Sequence, residues 1–254
     1  ALNEREFENF PEPNETDAAY NNFAFFESYF SNYIEGTEFE VDDARQIIET
    51  RTPMPARNAD SHDVLGTYYI VSNRKEMAVT PTSPDHLIDI LQHRHRIMMS
   101  ARPEANPGMF KTQNNRAGET HFVDYQQVRG TLKKGFEIYS VLRHPFARAL
   151  FMLFMISEVH PFSDGNGRIS RIMMNAELTA AGQSKIIIPT VFRTDYLSAL
   201  RQLTRKDNPE KLINAIQRVR LFSYNLRGDN FEQMRDYMER CNAFKEEDEY
   251  ILRF

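Results

Sequence analysis

Cysteine is nearly absent from this chain of 254 residues: Cys241 stands alone. A single thiol forms no internal bridge and offers no zinc-binding spacing, so a reducing, cytoplasmic setting is expected. Long apolar runs are missing too. The longest uncharged one covers about Ala149 to Ile156, far short of the roughly 20 residues that span a bilayer, so no membrane partner is expected. There is no basic excess either. The 31 Lys and Arg against 36 Asp and Glu leave a net charge of −5, and no helix carries a basic stripe, which argues against nucleic acid as a partner. The opening Ala-Leu-Asn-Glu-Arg-Glu has no signal-peptide core, although a start on Ala1 rather than methionine leaves a trimmed leader open. Internal repeats, low-complexity segments and flexible linkers are lacking. What remains is an ordinary globular composition, 41% apolar and 26% charged. Such a chain can bury a sizeable core without disulfides or structural metal.

Periodicity predicts an all-α domain with one inserted β-hairpin. Residues 1–16 read as irregular. Asp17 is placed to cap a helix with Phe23, Phe26, Phe30 and Ile34 on one face, and Gly36 supplies a left-handed C-terminal residue. A second helix is expected from Asp42 to just before Pro53, and a helix or buried apolar segment over 61–71. Ser83-Pro84 opens a helix carrying Leu87, Ile90, Leu91 and Ile97 that ends before Pro103. Residues 103–123 differ in kind. Pro107-Gly108, Phe110-Lys111-Thr112, a polar tip at Asn114-Asn115, Gly118 and His121-Phe122-Val123 predict a short exposed hairpin. Asp124, with Gln127 placed for a capping box, starts a helix to about Leu142. His144-Pro145 starts one so apolar on all sides that it must be central and buried. A loop, Ser163 to Gly165, leads into a helix from about Gly167 to Ala181 that stops at Gly182. Thr194, Asn208 and Asp229 are candidate caps of later helices. The methionine pairs read as core filling. His93 and His95, two apart, make a poor metal pair; Lys245 to Glu249 reads as a solvated charged tail, and Cys241 as an inert packed residue.

One stretch carries chemistry: His160-Pro161-Phe162-Ser163-Asp164-Gly165-Asn166-Gly167-Arg168-Ile169-Ser170-Arg171. A buried helix ends at a histidine, an acid follows four residues later, and Gly-Asn-Gly leads into a new helix. At a helix N-terminus, glycines let free backbone N–H groups approach an anion, and the helix dipole favours it. Arg168 and Arg171, one turn apart, can fork onto phosphate oxygens. Asp164 is a hard oxygen ligand of the sort that holds Mg²⁺ beside phosphates. His160 can accept a proton near neutral pH. Alone, each has a bland explanation: a boundary histidine, a turn, a solvated arginine pair. Together in one short segment they suit phosphoryl or nucleotidyl transfer.

The segment resembles the signature of the Fic family, His-x-Phe-x-(Asp/Glu)-Gly-Asn-Gly-Arg-x-x-Arg, at every fixed position, and the resemblance extends over roughly residues 84–225. It implies a Fic-fold helical bundle and transfer of AMP from ATP, with Mg²⁺, to a hydroxyl side chain of a target protein. His160 would deprotonate that hydroxyl, and Asp164 would hold Mg²⁺ at the α- and β-phosphates. The amides of Gly165, Asn166 and Gly167 would form the anion hole, with Arg168 neutralising the α/β-phosphates and Arg171 gripping the γ-phosphate. Upstream, Ser31-Asn32-Tyr33-Ile34-Glu35-Gly36 resembles the family's inhibitory motif, (Ser/Thr)-x-x-x-Glu-(Gly/Asn). In the subclass with an N-terminal inhibitory helix, here about residues 17–36, the glutamate pairs with the second motif arginine. Glu35 would then occupy the γ-phosphate site at Arg171, with Ser31 supporting the helix end.

By the same resemblance the hairpin over 108–123 is the flap that holds the target by backbone pairing. Phe110-Lys111-Thr112 matches its usual start, and Lys111 and Thr112 become candidate nucleotide contacts. The polar tip departs from the commoner apolar one and leaves target preference open. Tyr196 reads equally as part of the adenine pocket or as a core tyrosine. The implied organisation is an N-terminal helical region over 1–83, a Fic core over 84–225 and a helical extension over 226–254. Self-modification and a homo-oligomer are further partner expectations. The rivals are Fic-type transfer of another group, removal of AMP, and a non-catalytic nucleotide-binding module.

Overall fold

The computed structural model describes residues 2–246 and 249–254, so residues 247 and 248 of the expected charged tail lie outside the described residues. The described chain is helical, with a single two-stranded antiparallel hairpin. The helices are α1 (Asp17–Ile34), α2 (Val41–Thr50), α3 (Asn58–Val71), α4 (Arg74–Met77), α5 (Pro84–Met98), α6 (Val128–Ser140), α7 (Pro145–Val159), α8 (Asn166–Ala180), α9 (Arg193–Lys206), α10 (Pro209–Tyr224) and α11 (Phe231–Arg240). No helix among the described residues is long and apolar enough to cross a membrane.

Proline and short polar side chains start these helices where their missing or accepting groups are useful. Ser83 Oγ accepts the His86 N–H ahead of Pro84, and Asn208 Oδ1 accepts the Glu210 N–H ahead of Pro209. Four expected caps move. Thr16 caps α1 by accepting the Ala19 N–H, which leaves Asp17 as an acid in the first turn. Asp124 accepts from the Gln126 N–H and caps a short 3₁₀ turn, Tyr125–Gln127. α6 therefore starts after Gln127, and no capping box forms. A second 3₁₀ turn, Thr190–Phe192, runs straight into α9 and puts Thr194 inside its first turn. Asn230 caps α11, while Asp229 accepts the Thr16 hydroxyl instead.

α7 and α8 pack against each other at the centre, joined by the motif loop, and apolar clusters lie on both sides of the pair. Phe23, Phe26, Phe30 and Ile34 of α1 are buried as their spacing predicts, but so are Phe25 and Tyr29 on the flank. The cover for that flank comes from far along the chain: Phe231 lies 4.9 Å from both Phe25 and Phe26. A buried ion pair fixes the middle of α1. Lys185 Nζ is 2.7 Å from Glu27 Oε2 and also donates to the Val71 carbonyl, and Asn175 Nδ2 donates to Glu27 Oε1.

The hairpin pairs β1 (Arg116–Ala117) with β2 (Thr120–His121), Arg116 opposite His121 and Ala117 opposite Thr120. Its tip is Gly118-Glu119, with Gly118 at φ +57°. Asn114 and Asn115 are not at the tip. They sit at its base, where their amides are spent on Asp124 and on the Phe162 carbonyl.

Candidate active site

The motif occupies the turn between α7 and α8, and both ends of that turn need a left-handed residue. His160 closes α7 at φ +49°, its N–H bonded to the Ile156 carbonyl, and Gly165 opens α8 at φ +74°. A Cβ at Gly165 would strike the methionines Met98 and Met99. Asn166 staples the turn with its side chain: Oδ1 accepts the Phe162 N–H at 2.8 Å, and Nδ2 donates to the Phe162 carbonyl at 2.9 Å. Asn166 and Gly167 form the first turn of α8, and the Gly165 N–H is taken by Asp164 Oδ1.

His160 Nδ1 lies 3.2 Å from the Ser157 carbonyl. A carbonyl only accepts, so Nδ1 carries the proton and Nε2 keeps a free lone pair. Burial pushes the imidazole pKa down to about 4, so the ring is neutral at physiological pH. The ring of Phe122 lies parallel on it at 3.6 Å.

Arg171 is buried and fully engaged with α1. Nη2 contacts Glu35 Oε1 at 2.7 Å and the Ser31 carbonyl at 2.8 Å, and Nε donates to Ser31 Oγ at 3.0 Å. Gly36 follows at φ +90°, turning the chain away directly after the glutamate. Arg168 is buried as well. It meets Asp63 Oδ2 of α3 at 3.1 Å and Asn32 Oδ1 of α1 at 3.3 Å, with Asp164 Oδ2 at 3.6 Å. Asp63 in turn takes a fork from Arg102, at 2.7 to 3.0 Å.

Asp164 keeps 59% of its side chain exposed; Oδ1 accepts the Gly165 N–H, and Oδ2 faces Arg168. No group of three or more His, Cys, Asp or Glu side chains placed to hold a metal occurs among the described residues. One accessible carboxylate fits a hard ion such as Mg²⁺ that draws its other ligands from water and substrate phosphate.

A cavity of about 550 Å³ brings several of these groups together. Glu35, Gly167, Arg171 and Tyr196 line it with His160, Phe122 and the flap residues Ala117 to Thr120. Tyr196 is buried, as the core reading expects, and it also lines the cavity; burial raises its phenol pKa. Lys111 and Thr112 are not brought to the cavity wall. Lys111 Nζ donates to Asn115 Oδ1 and the Val159 carbonyl, and Thr112 is exposed. Sequence reasoning missed Asp63, Asn32, Phe122 and His95. Buried His95 accepts the Gly108 N–H on Nδ1, bonds the Asp164 carbonyl through Nε2 and stacks on Phe162 at 3.7 Å. These contacts cross tens of residues, and no local spacing signals them.

A family model described as the Fic/DOC family matches residues 82–178. Among curated proteins the chain is similar to "Protein adenylyltransferase Fic" of Drosophila willistoni, 30% identical over 196 residues, which is 72% of this chain and 38% of that protein. It is similar to the protein of the same name from Nematostella vectensis, 27% identical over 195 residues, 72% of this chain and 44% of that protein. The chain thus spans less than half the length of these relatives. Among solved structures it resembles a Fic-1 fragment from C. elegans, with a TM-score of 0.65 and 19% identity over 86% of this chain and 63% of that one. It also resembles a Fic domain-containing signaling protein from Bacteroides thetaiotaomicron, with a TM-score of 0.67 and 16% identity over 91% of both chains. At these identities the structures speak to the fold.

Proposed function

From a chain that carries a Fic domain, we propose a protein adenylyltransferase that moves AMP from ATP to a Ser, Thr or Tyr hydroxyl of a target protein and is held off by its own N-terminal helix. The observation that carries this reading is the 2.7 Å contact between Arg171 and Glu35 inside the cavity that also holds His160. A guanidinium one turn into α8, beside the first-turn amides of Asn166 and Gly167, suits the end of a polyphosphate. A carboxylate from α1 fills that place.

In the proposed reaction His160 Nε2 takes the proton of the target hydroxyl. The hydroxyl oxygen bonds to the α-phosphorus, the bond from that phosphorus to the β-bridging oxygen breaks, and pyrophosphate leaves. The amides of Asn166 and Gly167, and that of Gly165 once Asp164 Oδ1 turns away from it, receive the charge on the transferring group. Arg168, aimed by Asp63, adds positive charge at the α/β-phosphates, and Arg171 grips the γ-phosphate once Glu35 yields. Asp164 would hold Mg²⁺, which neutralises charge on the leaving pyrophosphate. The target would lie along the flap. With Glu35 on Arg171, ATP loses its γ-phosphate grip and the α-phosphorus its alignment; misplacement by about 1 Å can cost about a hundredfold in rate.

The test is incubation of the purified protein with labelled ATP and Mg²⁺, alone and in lysate. Glu35→Gly is expected to raise protein labelling at least about tenfold, and His160→Ala in that background to abolish it. Equal labelling by wild type and Glu35→Gly would remove the inhibitory role. Labelling that survives His160→Ala would remove the base.

A further inference from the structure

The flap and the catalytic turn are stitched together at several points on either side of His160. The Lys111 N–H donates to the Pro161 carbonyl at 2.9 Å, and Lys111 Nζ lies 3.4 Å from the Val159 carbonyl. Asn115 Nδ2 donates to the Phe162 carbonyl at 2.9 Å while its Oδ1 accepts from Lys111 Nζ at 2.7 Å. The Asn115 carbonyl then receives the Phe122 N–H at 3.4 Å, tying the returning strand to the same anchor. Phe122 completes the set: its ring lies 3.6 Å from the imidazole of His160, with planes only 3° apart. His160 itself is held at φ +49°, a left-handed conformation that a non-glycine residue keeps only where its surroundings over-determine it.

We propose that Phe122 is a positioning residue for the His160 base: the flap lays its ring on the imidazole face, fixes the plane of the ring and keeps water from that face. This inference rests on the adenylyltransferase reading for the role of His160. With Nδ1 tied to the Ser157 carbonyl and a face covered by Phe122, the base meets a hydroxyl at the Nε2 edge, in the plane where its lone pair points. Base and flap are therefore set together. A target that displaces the returning strand disturbs the imidazole through a single ring contact. The usual role of a flap is to bind; here the same strand also orients the proton acceptor.

The charged groups facing His160 are Lys111 at the flap entry, Glu35 at the end of α1 and Asp164 in the catalytic turn. Lys111 favours the neutral ring, and the two acids favour the charged one. The Phe122 substitutions leave the charges of all three groups unaltered, so the titration of His160 reads the effect of the ring cover. The experiment is a pH titration of the His160 ring by NMR in the full chain with labelled histidine. Wild type should titrate near pH 4. Phe122→Ala should move that midpoint up by at least about one pH unit, towards that of a solvated imidazole, while Phe122→Tyr, which keeps the stack, should leave it in place. In a Glu35→Gly background the acid limb of the labelling rate should rise with it. A titration midpoint that ignores Phe122→Ala, in a variant whose other resonances show an intact fold, overturns the proposal. If the midpoint moves but no variant labels any protein, Phe122 still positions His160, and it is the adenylyltransferase reading that falls.

Discussion

Gly167 has no side chain because another residue's oxygen needs the space. A Cβ built there falls on Glu35 Oε1, and it would also crowd the Arg171 guanidinium. The space beside Arg171 thus holds one oxygen, that of Glu35, against a bare Cα, and in the proposed reaction a phosphate oxygen would take its place. Gly167→Ala should therefore weaken ATP binding by at least about tenfold, and adding Glu35→Gly should not restore it, because the obstruction belongs to that space and not to its occupant. Calorimetric titration with ATP of the double variant against Glu35→Gly alone checks this; equal affinities would mean that the phosphate avoids Gly167. The neighbouring arginine follows a different logic. Arg168 and Arg102 share Asp63, so the charge of Arg168 is aimed before any ligand arrives.

At the level of elements, close approach of helices is bought by two glycines with different neighbours. Gly66 of α3 lies against the backbone carbonyl of Met98 at the end of α5, whereas Gly135 of α6 faces the flexible tip of the Met155 side chain on α7. Backbone cannot give way without moving a helix; a thioether can rotate aside. Gly66→Ala should cost about 1–3 kcal/mol, several degrees of melting temperature in a domain of this size, and Gly135→Ala should stay within about 1 kcal/mol. Differential scanning calorimetry of the two variants decides it; matched losses would show that the α3–α5 crossing can slide. That crossing matters to the site, since α3 carries Asp63 and α5 carries His95.

Across the whole molecule, buried titratable groups pull stability in opposite directions with pH. Burial lowers both His95 and His160 from 6.5 to about 4. An unfolded chain takes up protons at these sites below 6.5 while the folded chain refuses them until about 4, so stability is lost as pH falls through that window. Glu177 behaves in reverse. Burial raises its carboxyl from 4.5 to about 7, with Tyr139 donating its hydroxyl to both oxygens. Between 4.5 and 7 the folded chain keeps a proton that the unfolded chain releases, so this group costs stability as pH rises. Glu177→Gln, whose amide oxygen can still accept from Tyr139, should match wild type near pH 4.5 and exceed it by about 2–3 kcal/mol by pH 8. Denaturation midpoints at the two pH values test this; a difference that does not change with pH would show the carboxylate to be already ionised in the fold.

Sequence alone determined the helical class, the hairpin between residues 103 and 123, the central apolar helix and the His160 to Arg171 turn. These rest on local chemistry: period, proline and glycine placement, and a dense motif of adjacent residues. The pairing of Glu35 with Arg171 was reachable only through the second motif, because 136 residues separate the two. Where local signals competed, sequence chose wrongly. Thr16 outbid Asp17 for the cap of α1, two 3₁₀ turns displaced expected helix starts, and Asn114 and Asn115 turned inward from the supposed tip. Only the tertiary structure decided which distant groups close on the motif. Asp63 on Arg168, His95 on the Asp164 carbonyl, Phe122 on the imidazole and Phe231 on the flank of α1 join segments that share no periodicity. Such contacts arise when helices already formed are packed around one core, and a sequence read along its length holds no distance between them.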